Sequence, residues 1–332
     1  MVVSLLFLSC GAVLFAIGGM AVSRGSALLA QELGFTPLVI GLVVMSGSAA
    51  LPELFLLVRA HALGGTELAL GGIYGGVVAL LSVVVGAAAL FRPLDCPPRV
   101  VIRDGGVVLL IALIGLLLLL IGGIWGHLVG VLLLVLYGGY TALVHLTDRR
   151  RVARYSVAEV HARAHVMALG VTRFDITVGL FVVLLGMIAI MMAGHLTVSG
   201  ALAMARLTHL PQFALGVSVV ALCLAVPQAL VLWAGTRHSG ADIFFGQIIG
   251  AAVLNLTLAP GLVALFTPLP VTGAFAIDLI ALAVLPVLLG LTVAAGWRLT
   301  APRAIVLIAA YGIYLLVLAM RLNLLSYLPT QF

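Results

Sequence analysis

The chain has 332 residues, of which 64% are hydrophobic and 8% charged, with a net charge of +6; a soluble domain ordinarily carries about 25% charged residues. A bilayer-spanning helix needs roughly 20 apolar residues, so this length holds about ten spans with short connections and leaves no room for a separate soluble domain. Nucleic-acid binding, a cytosolic enzyme and a receptor with a large ectodomain are thereby excluded.

The chain opens with MVVSLLFLSCGAVLFAIGGMAV. This stretch has no basic leader region and no clear small-residue cleavage site, so it reads as a retained first span rather than a signal peptide. Apolar runs bounded by Arg, Pro, Gly or Asp predict ten helices, at about 2–22, 35–60, 66–91, 105–123, 127–146, 176–194, 212–234, 241–266, 273–297 and 304–320. A closed barrel would show short alternating strands instead. The predicted class is an all-α integral membrane protein. Cys10, Cys96 and Cys223 have no metal-ligand spacing and read as small apolar fillers.

All sixteen basic residues are Arg. With ten crossings both termini share a side. Placing them outside leaves only Arg59, Arg206 and Arg321 outside and puts the other thirteen in cytoplasmic loops, from Arg24 through the run Arg149, Arg150 and Arg151 to Arg303. The connector 147–175, the most polar stretch, is then cytoplasmic, and the setting is a bacterial or archaeal cell membrane.

The connector separates two five-helix halves, 1–146 and 176–332. At an offset of 175, Gly41 pairs with Gly216, Pro52 with Pro227, Glu67 with Asp242, Gly71 with Gly246 and Gly75 with Gly250. Asp104 pairs with Asp278 at offset 174. Five spans per half is an odd number, so the second copy enters the membrane from the opposite side: the repeat is inverted. Inverted repeats with Gly- or Pro-interrupted helices are the signature of secondary transporters, with the substrate site near the midplane at the repeat interface. Pro52 and Pro227 cannot donate to the helical ladder, which frees backbone carbonyls just before them to face a cation.

Of ten acidic residues only Glu53 sits deep in an apolar span. A carboxylate there costs roughly 3 kcal/mol or more, which makes it a functional candidate. Its repeat mate is Gln228, and Asn255 with Gln247 supplies the other deep amides. The plainer reading is that Glu53 is protonated and bonded to a neighbouring helix, with the amides as interhelical glue. Ser46, Ser48 and Ser218 can bond their own helix carbonyls. Gly71, Gly72, Gly75 and Gly76 form a small-residue packing face. Asp104 and Asp278 stand where capping or dipole compensation is the ordinary role. The histidines show no metal-binding spacing, and no second deep ionisable group or nucleophile supports an intramembrane enzyme.

These motifs resemble the calcium/cation antiporter superfamily, which includes sodium/calcium and proton/calcium exchangers. Its first motif, approximately G-L-T-x-x-A-x-G-T-S-L-P-E, is matched by GLVVMSGSAALPE (41–53) and GVSVVALCLAVPQ (216–228). Its second, G-N-x-x-G-S-N-x-x-N, is matched by GGIYGGVVAL (71–80) and GQIIGAAVLN (246–255). The resemblance implies two alpha repeats, at 41–80 and 216–255, and a cation held by the two motif glutamates, by carbonyls at the threonine positions and by Asn and Ser side chains. Carried over, Glu53 keeps the first glutamate and Gln228 replaces the second; these two positions would hold the metal ion. The threonine positions are Ala49 and Leu224, the serine positions Ala50 and Ala225. In the second motif Gly72, Gly76, Val77 and Leu80 stand for Asn, Ser, Asn and Asn in the first copy. Gln247, Ala251, Ala252 and Asn255 do so in the second.

Calcium wants six to eight oxygens, including one or two carboxylates. A single carboxylate suits a monovalent cation or a proton better, and Gly and Ala in place of Asn and Ser are expected to widen and dry the cavity. The expected function is a cation antiporter working by alternating access with a weakened divalent-ion site, Glu53 binding the cation or proton. The transported cation is sodium, calcium or a proton; no cofactor is implied, and the surroundings are the lipid bilayer. Two alternatives stand beside it. One is a proton-coupled carrier of a small organic substrate. The other is a non-transporting scaffold that has lost the ion site, whose only visible partner surface is the Arg-rich stretch 149–163.

Overall fold

The computed structural model describes residues 1–32, 46–122, 124–147, 176–225, 229, 241–271, 273–294 and 296–321. Among them lie ten helices: α1 (Val2–Glu32), α2 (Ser46–Ala62), α3 (Thr66–Phe91), α4 (Val100–Ile121), α5 (His127–Thr147), α6 (Ile176–Thr208), α7 (Gln212–Ala225), α8 (Ala241–Phe266), α9 (Ala276–Val293) and α10 (Ala301–Arg321). Eight are long and apolar enough to cross a membrane; α2 and α7 each adjoin residues outside the described set. The fold is an all-α integral membrane bundle. The connector 148–175 lies outside the described residues.

The inverted repeat is visible in the helix boundaries. α3 and α8 start and end 175 residues apart, at Thr66 and Ala241 and at Phe91 and Phe266. α5 and α10 do so at 174, from His127 to Ala301 and from Thr147 to Arg321. The first and sixth helices overrun their expected ends at 22 and 194, with 31 residues in α1 and 33 in α6. No proline interrupts either sequence, so the polar residues read as boundaries are carried inside the helix. Arg24 accordingly lies within α1 rather than in a loop. At 1.5 Å per residue these helices are about 45–50 Å long, well beyond the roughly 30 Å hydrocarbon core, so they must tilt or protrude.

α1 and α6 pack along their lengths through glycines seven residues apart. Gly11, Gly18 and Gly25 of α1 lie against the 193–197, 186–190 and 179–183 stretches of α6, and Gly186 and Gly200 of α6 are themselves the 175-offset mates of Gly11 and Gly25. Small residues let two backbones approach where lipid offers no hydrophobic drive for association.

Inside this pair the bundle is centred on α3 and α8. In each, 72% of the spanning residues are buried, against 11% in α5. Their burial leaves Leu68, Leu70, Ile73 and Phe245 fully enclosed. Each half lends its last helix to the other half: α5 packs on α8, and α10 on α3.

Two short antiparallel strand pairs lock the halves together. β1 (Leu94–Asp95) pairs with β4 (Arg298–Leu299), and β2 (Ile124–Trp125) with β3 (Leu269–Pro270). β1 and β3 are repeat mates at offset 175, and β2 and β4 at 174, so the two pairings are one contact made twice. They lie at opposite ends of α4 and therefore at opposite membrane faces. The first is reinforced by Arg298 Nε on Asp95 Oδ1 at 2.7 Å and by Cys96 N–H donating to Trp297 O at 2.7 Å. Cys96 and Cys223 are buried as apolar fillers, and burial pushes the Cys96 thiol up to about 12; Cys10 is exposed on α1.

The α1–α6 contact has no room for a side chain at Gly18, where a Cβ would meet Gly186 O at 2.8 Å and Ile190 Cγ1 at 2.9 Å. Gly18→Ala should therefore destabilise the protein by roughly 1–3 kcal/mol, the usual range for overpacking. Gly138→Ala, whose Cβ would meet nothing within 4 Å, should not. Thermal unfolding of the two variants in detergent checks this.

Candidate functional site

Glu53 stands one residue after Pro52, inside α2. A proline ring cannot supply the N–H that closes a helical turn, so the carbonyl of Ser48, four residues back, lacks its helical donor while the helix continues through. α2 is held in place on several sides. Arg59 Nε donates to His195 Nδ1 of α6 at 3.1 Å, His61 Nδ1 pairs with Thr66 Oγ1 of α3 at 3.0 Å, and Pro52 faces Gly19 of α1. Leu56, Leu57 and Ala60 bury the rest of the inner face.

The Glu53 side chain is 1% exposed and Asn255 of α8 is 4% exposed. Asn255 Nδ2 donates to Glu53 Oε1 at 3.1 Å, and Asn255 Oδ1 has no hydrogen-bond partner among the described residues. This bond joins a helix of the first half to a helix of the second, next to the two most buried spans. A carboxylate, an adjoining amide oxygen and the Ser48 carbonyl are hard oxygen ligands of the kind small cations take. Among the described residues no three of His, Cys, Asp and Glu gather into a metal-binding group.

The remaining sequence candidates divide plainly. Gln228 and Pro227 lie outside the described residues. Ala49 and Ser48 fall in α2 and Gln247 in α8, with side chains outside the described set. Leu224 is buried in α7 at 5% exposure. Ser218 Oγ donates to Ala214 O at 2.7 Å, so its hydroxyl is spent on its own helix.

The glycines of α3 seat α7. A Cβ on Gly71 would meet Phe213 O at 3.0 Å, one on Gly72 would meet Val220 Cγ1 at 2.5 Å, and one on Gly75 the Cα of Val217 at 2.9 Å. The volume that an Asn side chain would take at position 72 is thus filled by Val220, and the glycine there opens no cavity. In α7 the backbone at this contact forms a π-helical turn, Gly216–Val220; such turns recur at functional sites.

Asp104 and Asp278 are not helix caps. Asp104 is ion-paired to its neighbour Arg103, Nε to Oδ1 at 2.6 Å, and makes no side-chain cap bond to α4. Asp278 accepts a hydrogen bond at Oδ1 from the Tyr314 hydroxyl of α10, at 2.6 Å. Sequence reasoning passed over Tyr314, yet a signal was there. Tyr137 and Tyr140 have mates at Tyr311 and Tyr314 at the same offset of 174 that relates Asp104 to Asp278.

Comparison with known proteins gives the same fold. The chain is 26% identical over 243 residues to inner membrane protein YrbG of Escherichia coli, covering 73% of this chain and 74% of that one. It is 23% identical to sodium/calcium exchanger MaX1 of Methanosarcina acetivorans, covering 95% and 98%. The solved sodium-calcium exchanger NCX_Mj superposes with TM-score 0.58 at 21% identity, over 94% of this chain and 97% of its own. The H+/Ca2+ exchanger CAX superposes with TM-score 0.68 at 15% identity, over 97% and 86%. The family described as "Sodium/calcium exchanger protein" matches in two segments, residues 3–146 and 178–320, and the chain belongs to that family of cation exchangers.

Proposed function

We propose that the protein is a cation antiporter that works by alternating access, with Glu53 as the carboxylate that takes the cation or a proton and Asn255 as its immediate partner. The observation that carries this reading is the buried Glu53–Asn255 hydrogen bond across the two halves. A carboxylate deep in a bundle is retained where it binds something, and in transporters built from inverted repeats the site lies at their interface. Relatives bear the names of sodium/calcium and proton/calcium exchangers.

The divalent ion is the less favoured cargo. Gln228 replaces the carboxylate that would mirror Glu53, and Gly72, Gly76, Ala251 and Ala252 bring no side-chain oxygen. Calcium bound by one carboxylate would leave one positive charge uncompensated in a medium that penalises it. Sodium or a proton leaves none. The tight seat of Val220 on Gly72 speaks against a cavity large enough for an organic substrate.

Tracer flux into proteoliposomes under imposed sodium and proton gradients, with calcium, sodium and rubidium as tracers, tests the reading. Glu53→Gln should reduce gradient-driven flux at least about tenfold, equivalent to about 1.4 kcal/mol; unchanged flux would remove Glu53 from the mechanism. Gln228→Glu restores the second carboxylate and should lower the half-saturating calcium concentration by about the same factor.

We further read the halves 1–146 and 176–332 as the two repeat units and the connector 147–175 as cytoplasmic, on the strength of the arginine bias. Trypsin should cut at Arg149–Arg151 in inside-out vesicles and leave right-side-out vesicles intact there, as read by fragment size.

A further inference from the structure

We propose that Asp278 and Tyr314 form a second proton-binding site, separate from Glu53 and Asn255. Asp278 lies in the first turn of α9 with 0% of its surface exposed. Its Oδ1 accepts the Tyr314 hydroxyl at 2.6 Å, and its Oδ2 has no hydrogen-bond partner among the described residues. The orphaned oxygen is where the proton binds: the carboxylate gains one O–H bond, loses its charge, and no other bond changes.

The repeat supplies an internal control. Asp104, the mate of Asp278, is also buried, at 3% exposure, and is neutralised in place by Arg103. The position that mirrors Arg103 is Ile277. One half thus answers its buried carboxylate with a fixed cation, while the other puts an isoleucine there. A buried ion left without a counter-charge costs several kcal/mol, and neutralisation is the ordinary escape.

Among the described residues the surroundings of Asp278 contribute no counter-charge. From α10, Tyr314 contacts it, with Tyr311 5.8 Å from Tyr314 between ring centroids; on α3, Tyr74 lies within electrostatic reach of it. α4 meets α9 through Gly115 against Leu279, and through Gly105 against Pro286 about two turns beyond Asp278, where Arg103 is already taken by Asp104. Arg298 of β4 lies past the far end of α9, on Asp95. Tyr74 itself packs edge-on against Trp125 and Phe275, at centroid distances of 6.2 and 6.1 Å. Tyr74 also sits between Gly72 and Gly75, the residues on which α7 is seated.

Infrared spectroscopy of the full-length protein in lipid nanodiscs at neutral pH tests this, with carboxylic-acid C=O bands identified by their shift in deuterated water. Wild type and Glu53→Gln should both show a band that Asp278→Asn lacks, and Tyr314→Phe should keep that band at a shifted frequency because its donor is gone. Persistence of every band in Asp278→Asn, or absence of any such band from Glu53→Gln, would overturn the proposal. If Asp278→Asn does not fold, Tyr314→Phe decides: a shifted band supports the site and an unmoved spectrum overturns it. Because Glu53→Gln retains the signal, this result is independent of the flux experiment that tests the exchange site.

Discussion

A carboxylate in the interior of an apolar bundle costs roughly 3 kcal/mol or more unless something answers it, and Glu53 is answered by the amide of Asn255 at 3.1 Å. That bond needs α2 and α8 to meet. They meet because α8 and its repeat mate α3 are the two innermost helices, and α2 is braced against both as well as against α6. The glycine faces of α3 and α1 are what allow such close approach without any hydrophobic force favouring helix over lipid. Packing, burial and the polar contact are thus parts of one arrangement.

The two halves share a backbone plan and differ in how they spend their polar groups. Glu53 has Gln228 as its mate, and Asp104 with its arginine is mirrored by Asp278 without one. Backbone features survive the duplication because geometry requires them: helix boundaries, glycines at close contacts, two-residue strands at the loop corners. Charges do not have to match: Glu53 faces an amide across the repeat, and Asp278 lacks the arginine that its mate Asp104 has.

Much of this was legible in the sequence, for physical reasons that can be named. Gly and Pro are irreplaceable at close approaches and helix breaks, so their spacing exposed the 175-residue offset that the helix boundaries reproduce. Glu53 and Asn255 stood out because polar groups are rare at that depth. Their mutual bond did not, since two residues 202 positions apart carry no sign of contact. The extra turns of α1 and α6 were missed because a polar residue in an apolar run resembles an end, although only backbone chemistry truly ends a helix. Which helices are central was also hidden, because lipid-facing and buried surfaces are equally apolar. The strand pairs were invisible for a simpler reason: two residues make no periodic pattern.

Those strand pairs also constrain how the molecule is made. β1 waits for β4, which is almost the last structured loop to emerge, and β2 waits for β3. Through most of its synthesis the first half therefore sits in the membrane with two unsatisfied strand edges, and its helix α3 lacks the cover of α10. Contacts between residues so distant along the chain form slowly, so final closure of this protein is a late event, made at both faces of the bilayer by the same contact used twice.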